Sequence, residues 1–374
     1  MRKIKMVDLS AIHGKLRSEI NMAIQEVIDE SSFINGAAVN TFCMNFARYL
    51  DMETVVGCGN GTDAIQVALM ALELKPDDEV ILPAFNYVAA AEVVALLGLK
   101  PVFADVDPLT FTISLNDIKV KITEKTKAII AVHLFGQCAD LEGLKDLCDQ
   151  YRLFLIEDAA QSIGASFYFS DGANRKSGTV GHIGTTSFFP SKNLGCMGDG
   201  GAIFSNDPVL TERIRKICNH GQSRKYSYEI IGVNSRLDSI QAAVLNVKLA
   251  NLDRDIEMRR VIADRYDQLL KHERIQLPYR VKNGLHSFNQ YTIKVRGDRN
   301  KLKAFLYSKG IPSMVYYPSP LHLQEAYIRY SSGARLPVSE RLPEEVLSLP
   351  IHPELDVEQQ AFICENLLVG LEQI

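Results

Sequence analysis

The stretch that decides how this chain folds and works is Ser187-Phe-Phe-Pro-Ser-Lys192-Asn-Leu-Gly-Cys-Met-Gly-Asp-Gly-Gly-Ala202. It places one lysine among turn-forming residues, directly after an apolar, strand-like run. A lysine amine reacts with carbonyl groups only when it is neutral, and desolvation among apolar side chains and glycine backbone lowers its pKa. Lys192 is therefore a candidate for covalent catalysis. The alternative is an exposed loop lysine, the commoner place for this side chain.

On both sides of this stretch, short β-rich runs alternate with longer helical runs, a pattern typical of parallel βαβ units. Helical spacing of apolar residues predicts helices over residues 12–30, 62–74, 87–98, 140–151 and 207–219. Residues 169–178 are predicted to form an exposed loop. Apolar runs predict strands at Glu79–Leu82, Pro101–Ala104, Ala128–His133, Leu153–Ile156 and Thr185–Phe189.

The C-terminal third has a different organisation. A long helix is predicted from Ser235 to about Leu270, and Pro and Gly interrupt the periodicity over residues 271–287. A strand at Asn289–Val295 and a helix at Arg299–Lys309 follow. We therefore predict a large domain over residues 1–250, with an N-terminal helix, and a smaller C-terminal α/β domain over 251–374 that is reached through the long helix.

The composition is that of an ordinary folded protein. Of 374 residues, 47% are hydrophobic and 23% are charged, which argues against disorder. The net charge of -4 gives no general attraction for nucleic acid or an anionic membrane, and no apolar run approaches the roughly 18 residues of a membrane span. Seven scattered cysteines without a C-x-x-C pair indicate neither a disulfide framework nor a zinc site. We expect a cytoplasmic protein without nucleic-acid or membrane partners.

A glycine-rich turn, Val55-Val-Gly-Cys-Gly-Asn-Gly-Thr-Asp-Ala64, ends a short strand and opens a helix. Backbone N–H groups at such a helix start can bind a phosphate. The spacing does not match G-x-G-x-x-G or a P-loop, so an ordinary glycine-rich helix start is the alternative. Ser187 can donate to the same phosphate, although a serine at a strand end can also cap a helix.

Two further strand ends carry candidate ligand contacts. Asp158 ends the apolar run Leu153-Phe-Leu-Ile-Glu-Asp158, at the edge where open α/β sheets bind ligands. A carboxylate buried there needs a cationic partner such as a protonated pyridine nitrogen, unless it merely caps a helix. Tyr87, beyond another strand, can lie flat on a planar cofactor or serve only in packing. The histidines show no metal-ligand spacing, so no metal is expected.

The glycine turn, the aromatic, the aspartate and the Ser/Lys turn follow one another on successive βα units, and together they suit one planar, phosphorylated pyridine aldehyde. With this order the chain resembles the sugar aminotransferases of the DegT/DnrJ/EryC1/StrS family, which share the aspartate aminotransferase fold (fold type I) and use pyridoxal 5′-phosphate (PLP). The resemblance spans essentially the whole chain through Gly59-Asn-Gly-Thr-Asp-Ala64, Pro83–Val88, His133-Leu-Phe-Gly136, Glu157-Asp-Ala-Ala-Gln161, Ser187–Gly201, Asn234-Ser-Arg236 and Tyr317-Pro-Ser-Pro-Leu-His322.

The resemblance implies a role for each matching residue. Lys192 would form the Schiff base with PLP, Asp158 would pair with the pyridinium nitrogen, and Gln161 would contact the ring hydroxyl oxygen. The other implied roles are ring stacking by Tyr87, phosphate binding by Gly61, Thr62 and Ser187, phosphate contact in the neighbouring subunit's site by Asn234, and weaker substrate contacts by Tyr317, His322 and the Lys216–Lys225 segment. The Asn234 role implies a homodimer with shared active sites.

The function implied is transfer of an amino group from L-glutamate to a keto nucleotide-sugar, with PLP cycling through pyridoxamine 5′-phosphate. The Tyr317–Gln324 segment and Gln290-Tyr291 are similar to those of members that act at C3, so a 3-keto substrate linked to dTDP or UDP is expected, for surface polysaccharide or secondary metabolite biosynthesis. Asn289 departs from the histidine that many members carry, and residues 41–47 lack an acidic residue common in the family. The alternatives are a C4-keto (perosamine-type) aminotransferase and a non-catalytic regulatory protein of this fold. The dehydratase branch, with His at the Lys192 position, is disfavoured.

Overall fold

The computed structural model describes residues 3–331 and 333–373 and alternates helices with strands along most of its length. The α/β prediction is confirmed. The helices are α1 Leu9–Lys15, α2 Arg17–Asp29, α3 Ala37–Leu50, α4 Gly61–Ala71, α5 Ala89–Leu96, α6 Leu115–Lys121, α7 Leu141–Tyr151, α8 Pro208–Cys218, α9 Ser239–Leu249, α10 Leu252–Leu269, α11 Arg299–Ser308, α12 Ile328–Ser331, α13 Pro337–Glu345 and α14 Val357–Leu371.

The strands form one large and three small sheets. They are β1 Val55–Cys58, β2 Glu79–Pro83, β3 Lys100–Ala104, β4 Thr126–Val132, β5 Phe154–Asp158, β6 Ser166–Tyr168, β7 Asn174–Lys176, β8 Ile183–Ser187, β9 Gly201–Phe204, β10 Gln222–Arg224, β11 Ser227–Tyr228, β12 Ile275–Gln276, β13 Gly284–Leu285, β14 Tyr291–Val295 and β15 Val346–Leu349. The large sheet has the order β1-β9-β8-β5-β4-β2-β3, and β9 runs antiparallel to both of its neighbours. The sheet is thus mostly parallel, as the alternating strands and helices of the sequence predict, and the antiparallel β9 makes it a mixed sheet.

The central strands are apolar because helices cover both faces of the sheet. Every residue of β2 is buried, as is almost all of β4. Register aligns Val132 of β4 with Asp158 of β5, and Asp158 with Thr185 of β8. The carboxyl ends of these neighbouring strands therefore meet at one edge, which is where an open α/β sheet binds its ligands.

A second core lies in the C-terminal part of the chain. The antiparallel sheet β12-β14-β15 packs with α10, α11 and α14 around Tyr266, Tyr291 and Leu302, all of which are fully buried. The small hairpin β6–β7 also receives β13, so residues 284–285 reach back to the first two thirds of the chain. The domain boundary at residue 250 stays a prediction. Over the described residues, no helix combines the length and apolarity needed to cross a bilayer.

Several element boundaries differ from the prediction. The single helix over 235–270 is wrong, because α9 ends at Leu249 and α10 starts at Leu252. The N-terminal helix is likewise divided at Leu16. The strand expected at Thr185–Phe189 begins and ends two residues earlier, and the loop at 169–178 contains β7. The expected helices omit α3, α6, α12, α13 and α14.

Candidate active site

Lys192 lies in the turn that joins β8 to β9, inside the large sheet rather than on a peripheral loop. Its side chain is half-buried, and its backbone N–H donates to the Phe189 carbonyl over 2.9 Å. Burial lowers the pKa of the Lys192 amine, and the Asp158 carboxylate acts in the opposite direction. The exposed-loop alternative is therefore wrong, and the lysine has the desolvated surroundings that a nucleophilic amine requires.

Asp158 ends β5, beside the strand that leads to Lys192. Its side chain is 8% exposed, and Oδ1 accepts a hydrogen bond from the Ala160 amide over 3.0 Å. No α-helix starts here, since the following residues form turns, so the helix-cap alternative is wrong. Burial raises the pKa of Asp158, while Lys192 and His133 act to lower it. A buried carboxylate with one amide donor is suited to receive a further cationic partner.

The start of α4 meets the end of β8 very closely. A Cβ atom added to Gly61 would lie 2.6 Å from the Cβ of Ser187, so only glycine permits this approach. Asn60 caps the helix by accepting from the Asp63 amide over 2.8 Å. Among the residues that the structure describes, no group accepts from the amides of Gly61 or Thr62. These two N–H groups and the Ser187 hydroxyl thus lie at the same place, where the start of α4 adjoins the end of β8, and a helix start of this kind suits a phosphate. We call the region in front of them the Gly61/Ser187 space.

Gln161 and Tyr317 form the polar wall of the site. Gln161 Oε1 accepts from the Phe135 amide and Gln161 Nε2 donates to the Tyr317 hydroxyl, both over 2.9 Å. The Tyr317 ring lies 6.3 Å from the Tyr87 ring, between centroids, and Tyr87 is 56% exposed. These bonds orient the Gln161 amide, while Tyr87 keeps a free face on which a planar ring can stack.

Two predicted residues do not join this group within a single chain. Asn234 is exposed, and its backbone forms an isolated bridge with Asn219. His322 has no exposed surface, and its Nε2 faces Glu340 Oε1 at 3.3 Å. A direct substrate contact by His322 is not available in this conformation. Its segment reaches the sheet instead through the Leu321 amide, which donates to the Ala84 carbonyl.

One side chain of the site was missed by the sequence analysis. Asn86 is 3% exposed, and neither polar atom of its amide has a hydrogen-bond partner among the described residues. It sits between the buried Phe85 and the exposed Tyr87. An unsatisfied buried amide is costly, so its position beside Tyr87 indicates a group that a bound ligand completes. The only sequence signal is one amide within the aromatic run after β2.

A second missed group supports the strand that carries Asp158. The Glu157 carboxylate accepts from the amides of Gly178 and Val180, over 2.9 and 2.6 Å. It also lies 2.8 Å from His133 Nε2, while His133 Nδ1 accepts from the Ala139 amide. The histidine proton that faces Glu157 is therefore on Nε2. This network fixes the end of β5.

These features fit PLP. The Gly61/Ser187 space suits its phosphate, Asp158 suits its protonated ring nitrogen, and Lys192 suits its aldehyde. The unpartnered Asn86 amide and the open face of Tyr87 lie beside the same strand ends. No group of His, Cys, Asp or Glu within the described residues has the arrangement of a metal site. Fold and site together define a PLP-dependent aminotransferase of the aspartate aminotransferase fold.

Comparison with known proteins leads to the same class. The model of the DegT/DnrJ/EryC1/StrS aminotransferase family matches residues 15–368. A "Pleiotropic regulatory protein" of Geobacillus stearothermophilus is 45% identical, with 97% of each chain covered. The "UDP-2-acetamido-2-deoxy-3-oxo-D-glucuronate aminotransferase" of Pseudomonas aeruginosa is 42% identical over 97% of this chain and 99% of that protein.

A solved structure is similar over its full length. The crystal structure of S. venezuelae DesV in complex with a ketimine intermediate superposes with a TM-score of 0.95, at 36% identity and 100% coverage of both chains. The chain belongs to the DegT/DnrJ/EryC1/StrS aminotransferase family, and its cofactor is PLP.

Proposed function

We propose that this protein transfers an amino group from L-glutamate to a 3-keto nucleotide-sugar, linked to dTDP or UDP. The observation that carries the proposal is the meeting of Lys192, Asp158 and the Gly61/Ser187 space at one sheet edge. The name of the P. aeruginosa relative, which specifies a 3-oxo sugar, favours C3 over C4. The product is an amino sugar for surface polysaccharide or secondary metabolite biosynthesis.

When bound, PLP supplies an electron-accepting ring that allows the hydrogen on the carbon beside the amino group to leave as a proton. Lys192 Nζ takes that proton, which requires the neutral amine that burial favours. Glutamate would leave as 2-oxoglutarate, and its amino group would remain at the site for the second half-reaction. The second half-reaction runs in the reverse direction on the keto sugar, so no external oxidant or reductant is needed.

The other residues bind and orient. Asp158 holds the proton on the ring nitrogen, because its buried carboxylate gains a cationic partner there. Gln161, fixed by Phe135 and Tyr317, is directed to the ring hydroxyl oxygen. The amides of Gly61 and Thr62 would bind the phosphate, together with the Ser187 hydroxyl. Tyr87 would stack on one face of the ring.

The active unit in this proposal is a cytoplasmic homodimer with shared sites. Asn234 is exposed, and among the described residues its backbone bridges Asn219 and not a predicted cofactor-binding residue, as expected if its side chain completes the partner's phosphate site. The backbone of Ile34, whose side chain is 49% exposed, bridges Asp238 near Asn234. Exposed apolar side chains beside a predicted shared site favour coverage by a second copy. Sedimentation of the PLP-bound protein tests this directly.

The substrate assignment is tested with glutamate and a panel of 3-keto and 4-keto sugars linked to dTDP and UDP. Product masses should show an amino sugar from a 3-keto member, and none with Lys192→Ala. Turnover of only 4-keto compounds would establish the perosamine-type alternative instead.

A regulatory function is the second candidate, because a 45% identical relative is named as a regulatory protein. A non-catalytic chain would not require a desolvated lysine facing a buried aspartate. The two are separated by adding glutamate to the PLP-bound protein. Conversion of the visible absorbance to that of the pyridoxamine form supports the enzyme, and an unchanged spectrum supports the regulator.

A further inference from the structure

The turn that carries Lys192, residues 188–200, has no regular secondary structure. Its conformation therefore depends on hydrogen bonds and packing with other parts of the chain. Part of the support is local, since the Cys196 amide donates to the Phe188 carbonyl over 2.8 Å. Asn193 Nδ2 donates to the Ile163 and Ser287 carbonyls over 3.2 and 3.3 Å. We name residues 188–200 the lysine turn.

Helix α9 contacts the lysine turn at two points. Gln241 Oε1 accepts from the Met197 amide over 2.9 Å, and Lys248 Nζ donates to the Gly195 carbonyl. These residues are seven positions apart, so they lie on one face of α9 two turns from each other. Gly195 is tightly held, since an added Cβ would lie 2.5 Å from the Pro190 carbonyl oxygen. The helix thus fixes the turn on the C-terminal side of Lys192.

Lys248 is an unusual residue for this contact. It is 6% exposed, and within the described residues no carboxylate oxygen lies within ion-pair distance of its amine. Burial lowers its pKa to about 8, while Cys196 and Asp255 act to raise it and Arg259 to lower it. Burying an amine without a paired charge is costly. The amine donates to the Gly195 carbonyl, so the desolvation cost is offset mainly at the lysine turn.

Solvent has little access to the contact between Lys248 and Gly195. Lys248 lines one narrow cavity of about 10 Å³, whose other polar lining residues are Lys192, Asn193, Asp255 and Arg259. Such a space holds at most about one water molecule. The cavity therefore has little room for solvent beside the ammonium group of Lys248.

We infer that Lys248 is a positioning residue, which holds the lysine turn through the Gly195 carbonyl so that Lys192 meets the cofactor aldehyde in reactive geometry. The inference rests on the proposed role of Lys192. Lys248 also lies one residue before the end of α9, next to the break that separates α9 from α10. The same residue therefore ties the start of the C-terminal helices to the lysine turn.

The test compares Lys248→Met, which keeps the unbranched stem but removes the donor, with Lys248→Arg, which keeps a cation. Lys294→Met is the matched control, because Lys294 Nζ also donates to a backbone carbonyl, that of Pro108 over 3.2 Å, and its side chain is 12% exposed. Hydrogen exchange of peptides from 188–200 in the PLP-free protein, and the rate at which added PLP becomes reducible by borohydride onto Lys192, are measured for each.

Lys248→Met should speed exchange in the lysine turn roughly tenfold to a hundredfold, the equilibrium factor of a hydrogen bond from a charged donor. It should also slow PLP attachment, with partial recovery in Lys248→Arg. Lys294→Met should change neither measurement. If Lys248→Met folds poorly, Gln241→Ala tests the other contact from the same helix face by the same exchange measurement.

Wild-type exchange and attachment rates in Lys248→Met would overturn the inference. No attachment of PLP in the wild-type protein would instead refute the proposed function, so the two failures are distinct.

Discussion

Gly61→Ala tests the phosphate space most sharply, because the consequence is set by one distance. The added Cβ would lie 2.6 Å from the Ser187 Cβ, about 0.8 Å inside the 3.4 Å at which ordinary contacts begin. The Ser187 backbone cannot yield easily, because Ser187 is paired with Gly201 of β9 and β8 is paired with both β5 and β9 up to Thr185. The start of α4 must therefore move away by most of an ångström. Overpacking of this kind costs about 1–3 kcal/mol of unfolding free energy.

The displacement also separates the Gly61 and Thr62 amides from the Ser187 hydroxyl. Misplacement by about 1 Å can reduce a reaction rate roughly a hundredfold, and we expect the PLP dissociation constant to rise at least about tenfold, a loss of about 1.4 kcal/mol. The assays are urea unfolding of the PLP-free protein and titration with PLP followed by absorbance. Gly14→Ala is the control, since nothing lies within 4 Å of its added Cβ. PLP affinity of Gly61→Ala equal to wild type would refute the proposed phosphate site.

Three further substitutions address the site and its support. Asp158→Asn removes a carboxylate whose pKa is raised by burial, so the PLP-free protein should keep or gain stability in urea unfolding. The rate of the glutamate half-reaction, followed by absorbance, should fall roughly a hundredfold to a thousandfold. A near wild-type rate would contradict the proposed role of Asp158. Tyr317→Phe leaves the Gln161 Nε2 donor unpaired and should cost about 1–3 kcal/mol in urea unfolding of the PLP-free protein, whereas no loss would show that this bond is unimportant. Burial lowers the pKa of His286 to about 3. Because this folded-state pKa lies below the unfolded-state pKa of about 6.5, the folded protein loses stability as the pH falls from about 6.5 towards 3. The unfolding free energy decreases by up to about 1.4 kcal/mol per pH unit. His286→Asn should flatten this slope in urea unfolding at several pH values, and an unchanged slope would contradict the assignment.

The sequence predicted the central strands well because each is an apolar run bounded by turn residues. It misplaced β8, because Phe188 and Phe189 extend the apolar run although pairing with β9 ends at Ser187. Phe188 is fully buried as part of a turn, not a strand. The break between α9 and α10 was missed because the apolar spacing continues across it, from Leu249 to Leu252. Periodicity reports burial, and burial does not by itself reveal where the backbone turns.

The site residues were predictable where a chemically suitable residue type lay at, or just after, the end of a predicted strand. Lys192 and Asp158 meet both conditions, and the β5–β8 pairing brings their strand ends together. Asn86 and Lys248 were not predictable in this way. Asn86 stands out because its buried amide has no hydrogen-bond partner among the described residues, and Lys248 because its amine is buried against the Gly195 carbonyl. For His322 the sequence motif suggested a substrate contact, but the surrounding packing buries the side chain completely. Tertiary packing, not local pattern, decides these cases.

Reduction of the PLP-bound protein with borohydride, followed by peptide mapping, shows directly whether Lys192 holds the cofactor. We expect one pyridoxyl group per chain, on Lys192, and none after prior conversion to the pyridoxamine form with glutamate. Labelling of a different lysine, or no labelling of the wild-type protein, would contradict it.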